Sequence, residues 1–174
     1  MKNLKLSLSA LLCMMVLLIS CNESDDQQPM LRMETFEYSF NEGQLVGAAT
    51  AYVGEHPRNL TARMLVEEQP NGMAKITVTL NNTLSGQMYM IHAHDAANPA
   101  NTPNGTPYNE SPNGNVLSAM VTAQGNSAVV EHQATLSYEQ IVNNYEGFLV
   151  VHDPTQDIST TDLTTYLILG VFAR

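Results

Sequence analysis

A period-two alternation of apolar and polar residues is the feature that most constrains how this chain can fold. From Met73 to Leu80 every second residue is apolar, and lysine or threonine stands between them. Because successive side chains of a strand point to opposite faces, this pattern predicts a half-buried strand. The preceding Gln69-Pro70-Asn71-Gly72 is typical of a tight turn, since proline presets φ and Asn-Gly tolerates positive φ.

The same alternation recurs along most of the chain. It predicts eight or nine short strands, at about 33–40, 44–53, 60–67, 73–80, 87–94, 116–122, 128–136, 148–152 and 165–173. The only helical pattern is one short turn at 138–144. We therefore expect an all-β fold, an antiparallel Greek-key barrel or sandwich. Residues 95–115, rich in Asn, Pro and Gly, predict a long loop of functional or mobile character.

A charged and then apolar segment at the start of the chain predicts export. Lys2 and Lys5 precede an apolar run that ends at Ile19 and is shorter than the ~20 residues of a membrane-spanning helix. This order is typical of a secretory signal peptide. Leu18-Ile19-Ser20-Cys21 resembles the lipobox of bacterial lipoproteins, in which the cysteine is acylated and the chain is cut just before it. We expect a signal peptide at 1–20 and lipidation of Cys21.

The residues that follow are typical of a solvated tether. Residues 21–31 carry the expected lipidated cysteine and a polar, acidic stretch without a hydrophobic period. They resemble the acidic stretch of surface-exported lipoproteins of Bacteroidetes-type bacteria. We expect a lipid-anchored protein of the bacterial cell envelope, in the outer membrane and exposed at its surface, with its folded domain at 32–174.

Charge and cysteine content exclude several classes of protein. The formal net charge is −10, and loss of Lys2 and Lys5 with the signal peptide makes it −12. So acidic a chain lacks the basic surface that nucleic-acid binding requires. Cys13 leaves with the signal peptide and Cys21 carries lipid, so the mature domain has no internal disulfide. Charge and cysteine content do not decide whether the protein binds another protein or a glycan.

Three histidines stand where they could share a metal ion. Ile91-His92-Ala93-His94 places two imidazoles at i and i+2 of a predicted strand, hence on one face. His152 ends the apolar strand at 148–151. Imidazole is the commonest ligand for copper and zinc, and a site of three nitrogens is chemically sensible. A bare His-x-His pair also occurs on surfaces that bind nothing.

Four segments, in order, resemble the copper/zinc superoxide dismutase family. Residues 84–94 are similar to its Gly-x-His-x-His strand and residues 145–152 to its Gly-Arg-x-Val-Val-His strand. Residues 167–173 resemble its Cys-Gly-Val-Ile ending, and residues 156–158 stand where the family has Asp-Asp-Leu. The resemblance covers roughly 44–174. It implies a flattened Greek-key β-barrel with His92, His94 and His152 as copper ligands.

The chain departs from that family at several functional positions. No histidine lies between His94 and His132, so the bridging imidazole and the zinc histidines have no counterparts. Tyr166 stands near the place of the arginine that guides the anion to copper. With a net charge of −12 and no guiding cation, we do not expect efficient dismutation of superoxide.

Three hypotheses follow. In the first, the protein is a copper-binding envelope lipoprotein with a dismutase-like domain. In the second, the same fold is a surface binding or adhesion module without metal, as the sister family of chordin-type repeats suggests. In the third, the protein is an enzyme, a copper-only superoxide dismutase.

Other residues allow a chemical and a structural interpretation. Asp157 could brace a ligand imidazole, because metal-bound histidines usually donate their other N–H to such a partner, or it could be a loop acid. Asp153 could favour a nearby cation or face water. His132 is expected to be a solvent-facing strand residue rather than a fourth ligand, and His56 a turn residue. Met88 and Met90 are expected to fill the core.

Overall fold

Nine β-strands, joined by turns and loops, dominate the part of the chain that the structure describes. The computed structural model describes residues 30–41, 52–102 and 104–174. The strands are β1 (Met33–Ser39), β2 (Thr61–Glu68), β3 (Met73–Asn81), β4 (Met88–Ala96), β5 (Tyr108–Pro112), β6 (Ser118–Thr122), β7 (Ser127–Ser137), β8 (Gly147–His152) and β9 (Tyr166–Val171). Short helical turns lie at Pro99–Asn101, Gln140–Asn144 and Leu163–Thr165. The predicted all-β class is confirmed.

The strands form two antiparallel sheets. The first has the order β1-β2-β3-β7, and the second has the order β5-β4-β8-β9, with β6 also paired to β4. Within the second sheet, β8 pairs along one edge of β4, while β6 and then β5 pair along the other. Strand β4 is therefore central, and its side chains have neighbours on both sides.

The period-two pattern builds a core between the sheets. On β3, Ala74, Ile76, Val78 and Leu80 are all fully buried, as predicted. They share one hydrophobic cluster with residues of the second sheet, including Tyr89, Ile91, Ala93, Leu149 and Val151. Each fully buried valine, leucine or isoleucine side chain contributes about 1.5–3 kcal/mol to folding. The alternation thus fixes which side chains of β4 and β8 point away from this core.

The turn predicted before β3 is confirmed. The Gly72 N–H donates to the Gln69 carbonyl at 2.7 Å, and the Gln69 N–H donates to the Met73 carbonyl at 2.8 Å. Gly72 has φ +78°, a left-handed conformation that glycine adopts without steric cost. The turn therefore fixes the register of the β2–β3 hairpin.

Two predicted segments differ from the structure or lie outside it. Residues 95–115 were expected to be a loop, yet they contain β5, which pairs with β4 and buries Tyr108. The predicted strand at 44–53 falls mainly on residues that are not described, and Tyr52 and Val53 at its end are not in a strand. The signal peptide, Cys21 and most of the predicted tether also lie outside the described residues.

Candidate metal centre

His92, His94 and His152 meet on the outer face of the second sheet. Tyr89, Ile91 and Ala93 of β4 point into the core, so the alternation places His92 and His94 on the opposite face. On β8, Leu149 and Val151 point into the core, which places His152 on that same outer face. The ring centroids are 5.6 Å apart for His92 and His94, and 4.9 Å apart for His92 and His152. The structure brings together all three predicted ligands.

The three imidazoles are buried under aromatic side chains. His92 is 4% exposed, His94 is fully buried and His152 is 1% exposed. The Tyr108 ring of β5 lies 5.0 Å from His94, and the Tyr166 ring of β9 lies 4.8 Å from His152. Burial raises the pKa of both tyrosines, that of Tyr108 to about 12, so both are neutral at pH 7. The resulting cover is uncharged and excludes water.

Burial keeps the three imidazoles neutral. Desolvation, reinforced by the neighbouring imidazoles, lowers the pKa of His92 to about 4 and that of His152 to about 3. The pKa of His94 is also lowered, mainly by burial, although the Asn109 carbonyl and Asp95 oppose this effect. A neutral imidazole keeps a nitrogen lone pair, which is the form that binds a metal.

Several ring nitrogens of this cluster lack a hydrogen-bond partner. His94 Nδ1 lies 2.8 Å from the Asn109 carbonyl oxygen; since a carbonyl only accepts, Nδ1 carries the proton and Nε2 keeps its lone pair. In the described part of the chain, His94 Nε2, His92 Nδ1 and both nitrogens of His152 are buried without a partner. Unpaired buried polar atoms are costly, so each calls for an explanation.

The spacing of the rings fits a shared ion, but their present orientation does not form a site. Imidazoles bound to one ion through nitrogens at ~2.0–2.1 Å have ring centroids roughly 5 Å apart, close to the distances found here. Among the described residues, however, no group of three or more His, Cys, Asp or Glu side chains could hold a metal ion as placed. Binding would therefore require the rings to turn so that their nitrogens converge.

The acid predicted to brace the site lies at the surface. Asp157 is exposed, and no hydrogen bond within the described ranges joins it to an imidazole. Its bracing role stays a prediction. His132 lies on β7 of the first sheet, on the same face as the core residues Ala128 and Ala134, and its Nε2 is buried. The expected solvent-facing position is therefore wrong, and His132 lies on a different sheet from the cluster.

Asp153 is instead the buried acid next to the cluster. It is 1% exposed and accepts hydrogen bonds from the Tyr52 hydroxyl, from Gln156 Nε2 at 2.8 Å and from Thr155 Oγ1 at 2.7 Å. These bonds lower the pKa of Asp153 although burial opposes them. The carboxylate thus fixes the backbone that leaves His152, so the sequence-based alternative of a water-facing acid is wrong.

The Asp153 interaction continues into a buried network that the sequence did not reveal. The His56 N–H donates to the Tyr52 hydroxyl at 2.9 Å, and His56 Nε2 lies 2.8 Å from the Tyr89 hydroxyl. Tyr89 also accepts the Leu84 N–H at 2.7 Å. His56 is 2% exposed, so it joins the segment before β2 to β4 rather than forming only a surface turn.

The chain matches no family model, no curated protein and no solved structure with which it was compared. Within the described ranges, no helix is long and apolar enough to cross a membrane. The fold and site thus define an all-β protein of two antiparallel sheets with a buried histidine cluster on the outer face of the second.

Proposed function

We propose that this protein is a lipid-anchored envelope protein whose dismutase-like domain binds one copper ion through His92, His94 and His152. The observation that carries the proposal is the set of buried, neutral imidazoles with unpartnered nitrogens on one sheet face. A nitrogen ligand set suits copper. Bound metal would satisfy the lone pairs that the surrounding residues leave unpaired.

The strand order supports a Greek-key arrangement of this domain. Strands β3 and β7 are neighbours in the first sheet, yet the chain between them passes through β4, β5 and β6 of the second sheet. Strands β4 and β8 are likewise neighbours joined by a connection through β7 of the first sheet. Long connections between adjacent antiparallel strands are typical of Greek-key sandwiches and barrels.

The residues around the cluster favour holding the ion over rapid turnover. Copper bound here would supply one-electron chemistry between Cu(I) and Cu(II). The Asn109 carbonyl orients His94, and the tyrosine cover excludes water and restricts access to the imidazoles. Tyr166 contributes an uncharged ring against His152, so it cannot attract an anion as an arginine would. Efficient dismutation is therefore not part of the proposal.

The test is a Cu(II) titration of the full chain, purified in detergent and read by electron paramagnetic resonance. We expect one equivalent bound with nitrogen hyperfine structure, and loss of that signal in the double variant His92→Ala/His152→Ala. The matched control is His132→Ala on the other sheet, which should bind as the wild type does. Tight binding that survives the double variant would refute the assignment of the ligands.

A second candidate function is a binding or adhesion module without metal on the same fold. The described imidazoles would have to turn to hold an ion, so metal binding is the property that separates the two candidates. Absence of tight copper binding in the wild type would support this candidate, with a protein or glycan as partner. A copper-only dismutase remains testable by an activity assay on the copper-loaded protein at several salt concentrations.

A further inference from the structure

Three methionines lie beside the histidine cluster on the outer face of the second sheet. Along β4, Met88, Met90, His92 and His94 follow one another at every second position, so all four share the face opposite the core. Met120 of β6 is the direct cross-strand partner of Met90. Residues directly opposite each other in an antiparallel pair have Cβ atoms ~4.5–5.5 Å apart. We call Met88, Met90 and Met120 the methionine strip.

The methionine strip meets the histidines at Met90. His92 is the next residue but one along the strand. The β4–β8 register pairs Ile91 with Val151, and its continuation by one pair places His152 opposite Met90. The 4.9 Å contact between the His92 and His152 rings agrees with this placement. Met90 therefore has thioether neighbours on one side and imidazole neighbours on the other.

The strip is not core filling, contrary to the sequence-based expectation. Met88 is 54% exposed, Met120 is 57% exposed and Met90 is half-buried. On the outer face of β4, exposure falls from Met88 through Met90 to the buried His92. Exposed thioethers gain little from the hydrophobic effect. Their grouping on a single face therefore needs another explanation.

Thioether sulfur has a narrow metal preference. It is a soft, uncharged donor that favours Cu(I) over harder divalent ions. Methionine also has three rotatable bonds, so neighbouring sulfurs can converge on one ion without movement of the backbone. Residues at i and i+2 of a strand are ~6.6–6.8 Å apart, which is within the combined reach of two such side chains.

We propose that the methionine strip is a Cu(I) site at the entrance to the histidine cluster. Met88 and Met120 take up Cu(I) at the surface, and Met90 is the ligand nearest to His92 and His152. Passage from sulfur to nitrogen ligands is an exchange of ligands, in which the ion stays Cu(I) and no electron is transferred. The inference rests on the proposed function in one respect: the ion that leaves the methionine strip is taken up by the histidine cluster.

The test uses Ag(I), a soft monovalent ion that does not change oxidation state under these conditions. The full chain, labelled with ¹³C at the methionine methyl groups, is titrated with Ag(I) in detergent without chloride. We expect the methyl signals of Met88, Met90 and Met120 to shift together. Met33 is the internal control, because it is 64% exposed but lies on β1 of the other sheet, opposite Glu67.

A second measurement uses Cu(I) itself under anaerobic conditions against a colorimetric competing chelator. The triple variant Met88→Leu/Met90→Leu/Met120→Leu keeps side-chain volume and apolar character, which cores and surfaces tolerate well. To remove the nitrogen ligands, the three changes are made in the His92→Ala/His152→Ala background, where we expect them to weaken Cu(I) binding about tenfold or more. With the histidines intact, the triple variant should retain the Cu(II) signal. The control variant Met33→Leu should bind Cu(I) as the wild type does.

Failure of this inference can be told from failure of the proposed function. The inference would be overturned by the absence of Ag(I) shifts at the strip or by equal shifts at Met33 and at the strip. It would also be overturned if the three Met→Leu changes left Cu(I) affinity unchanged in the His92→Ala/His152→Ala background. Each of these results would leave the histidine site in place. Conversely, shifts confined to the strip in a protein that binds no Cu(II) would support the Cu(I) site while refuting the histidine site.

Discussion

Acid should destabilise the metal-free protein through its buried histidines. An unfolded histidine titrates near pKa 6.5, whereas the folded pKa is about 4 for His92 and about 3 for His152. The folded state therefore binds fewer protons than the unfolded state between these values. Stability from this source is fully present above pH 6.5 and is lost as the pH falls toward 4 and then 3.

The magnitude follows from the same pKa values. At about pH 5 an unfolded histidine is almost fully protonated while His92 and His152 are still neutral when folded. Each of these two histidines should therefore lower the unfolding free energy at about pH 5 by roughly 2 kcal/mol relative to its value at about pH 7.5. His152→Leu removes one titrating group and keeps an apolar side chain of similar size. The unfolding free energy that this variant loses between the two pH values should be smaller than the wild-type loss by roughly 2 kcal/mol.

The assay is urea unfolding with a chelator present, followed by circular dichroism at the two pH values. Val150→Ala is the matched control, because Val150 is fully buried two residues away on the same face of β8 but does not titrate. It should lower stability by about 1–3 kcal/mol, equally at both pH values. If His152→Leu lost as much stability on acidification as the wild type, the argument from burial would be refuted.

Three further predictions concern other parts of the chain. Tyr52→Phe should lower the unfolding free energy by about 1–3 kcal/mol in urea titrations, because it removes a buried donor to Asp153 and an acceptor for the His56 N–H. The control Asp157→Asn, at an exposed acid, should change the unfolding free energy by less than about 0.5 kcal/mol. Equal effects of the two variants would contradict the role assigned to Tyr52. Gly147→Ala should lower stability by about 1–3 kcal/mol in thermal unfolding, since the added Cβ would stand 2.5 Å from the His94 carbonyl oxygen; an unchanged midpoint would count against the packing described. Cys21→Ser should abolish incorporation of labelled palmitate in a bacterial host and release the exported protein from membranes, and continued labelling would place the lipid elsewhere.

The sequence specified the strands because their side chains alternate locally. The β3 pattern and the Pro70-Asn71-Gly72 turn needed no information from distant residues. The sequence did not predict β5, because its residues do not alternate between apolar and polar and Tyr108 is its only buried residue. Pairing with β4 makes this segment a strand. The Asp153–Tyr52 hydrogen bond joins residues 101 positions apart, which no local pattern encodes.

For the candidate site, the sequence determined which residues share a face, and the tertiary structure decided what that face meets. The i, i+2 spacing alone put His92 and His94 on one side of a strand. Their proximity to His152 depends on the pairing of β4 with β8. Their lowered pKa values depend on burial and, for His92, also on the neighbouring His94 imidazole. Local alternation is set by backbone geometry, whereas neighbours and burial arise only when distant strands pair and pack.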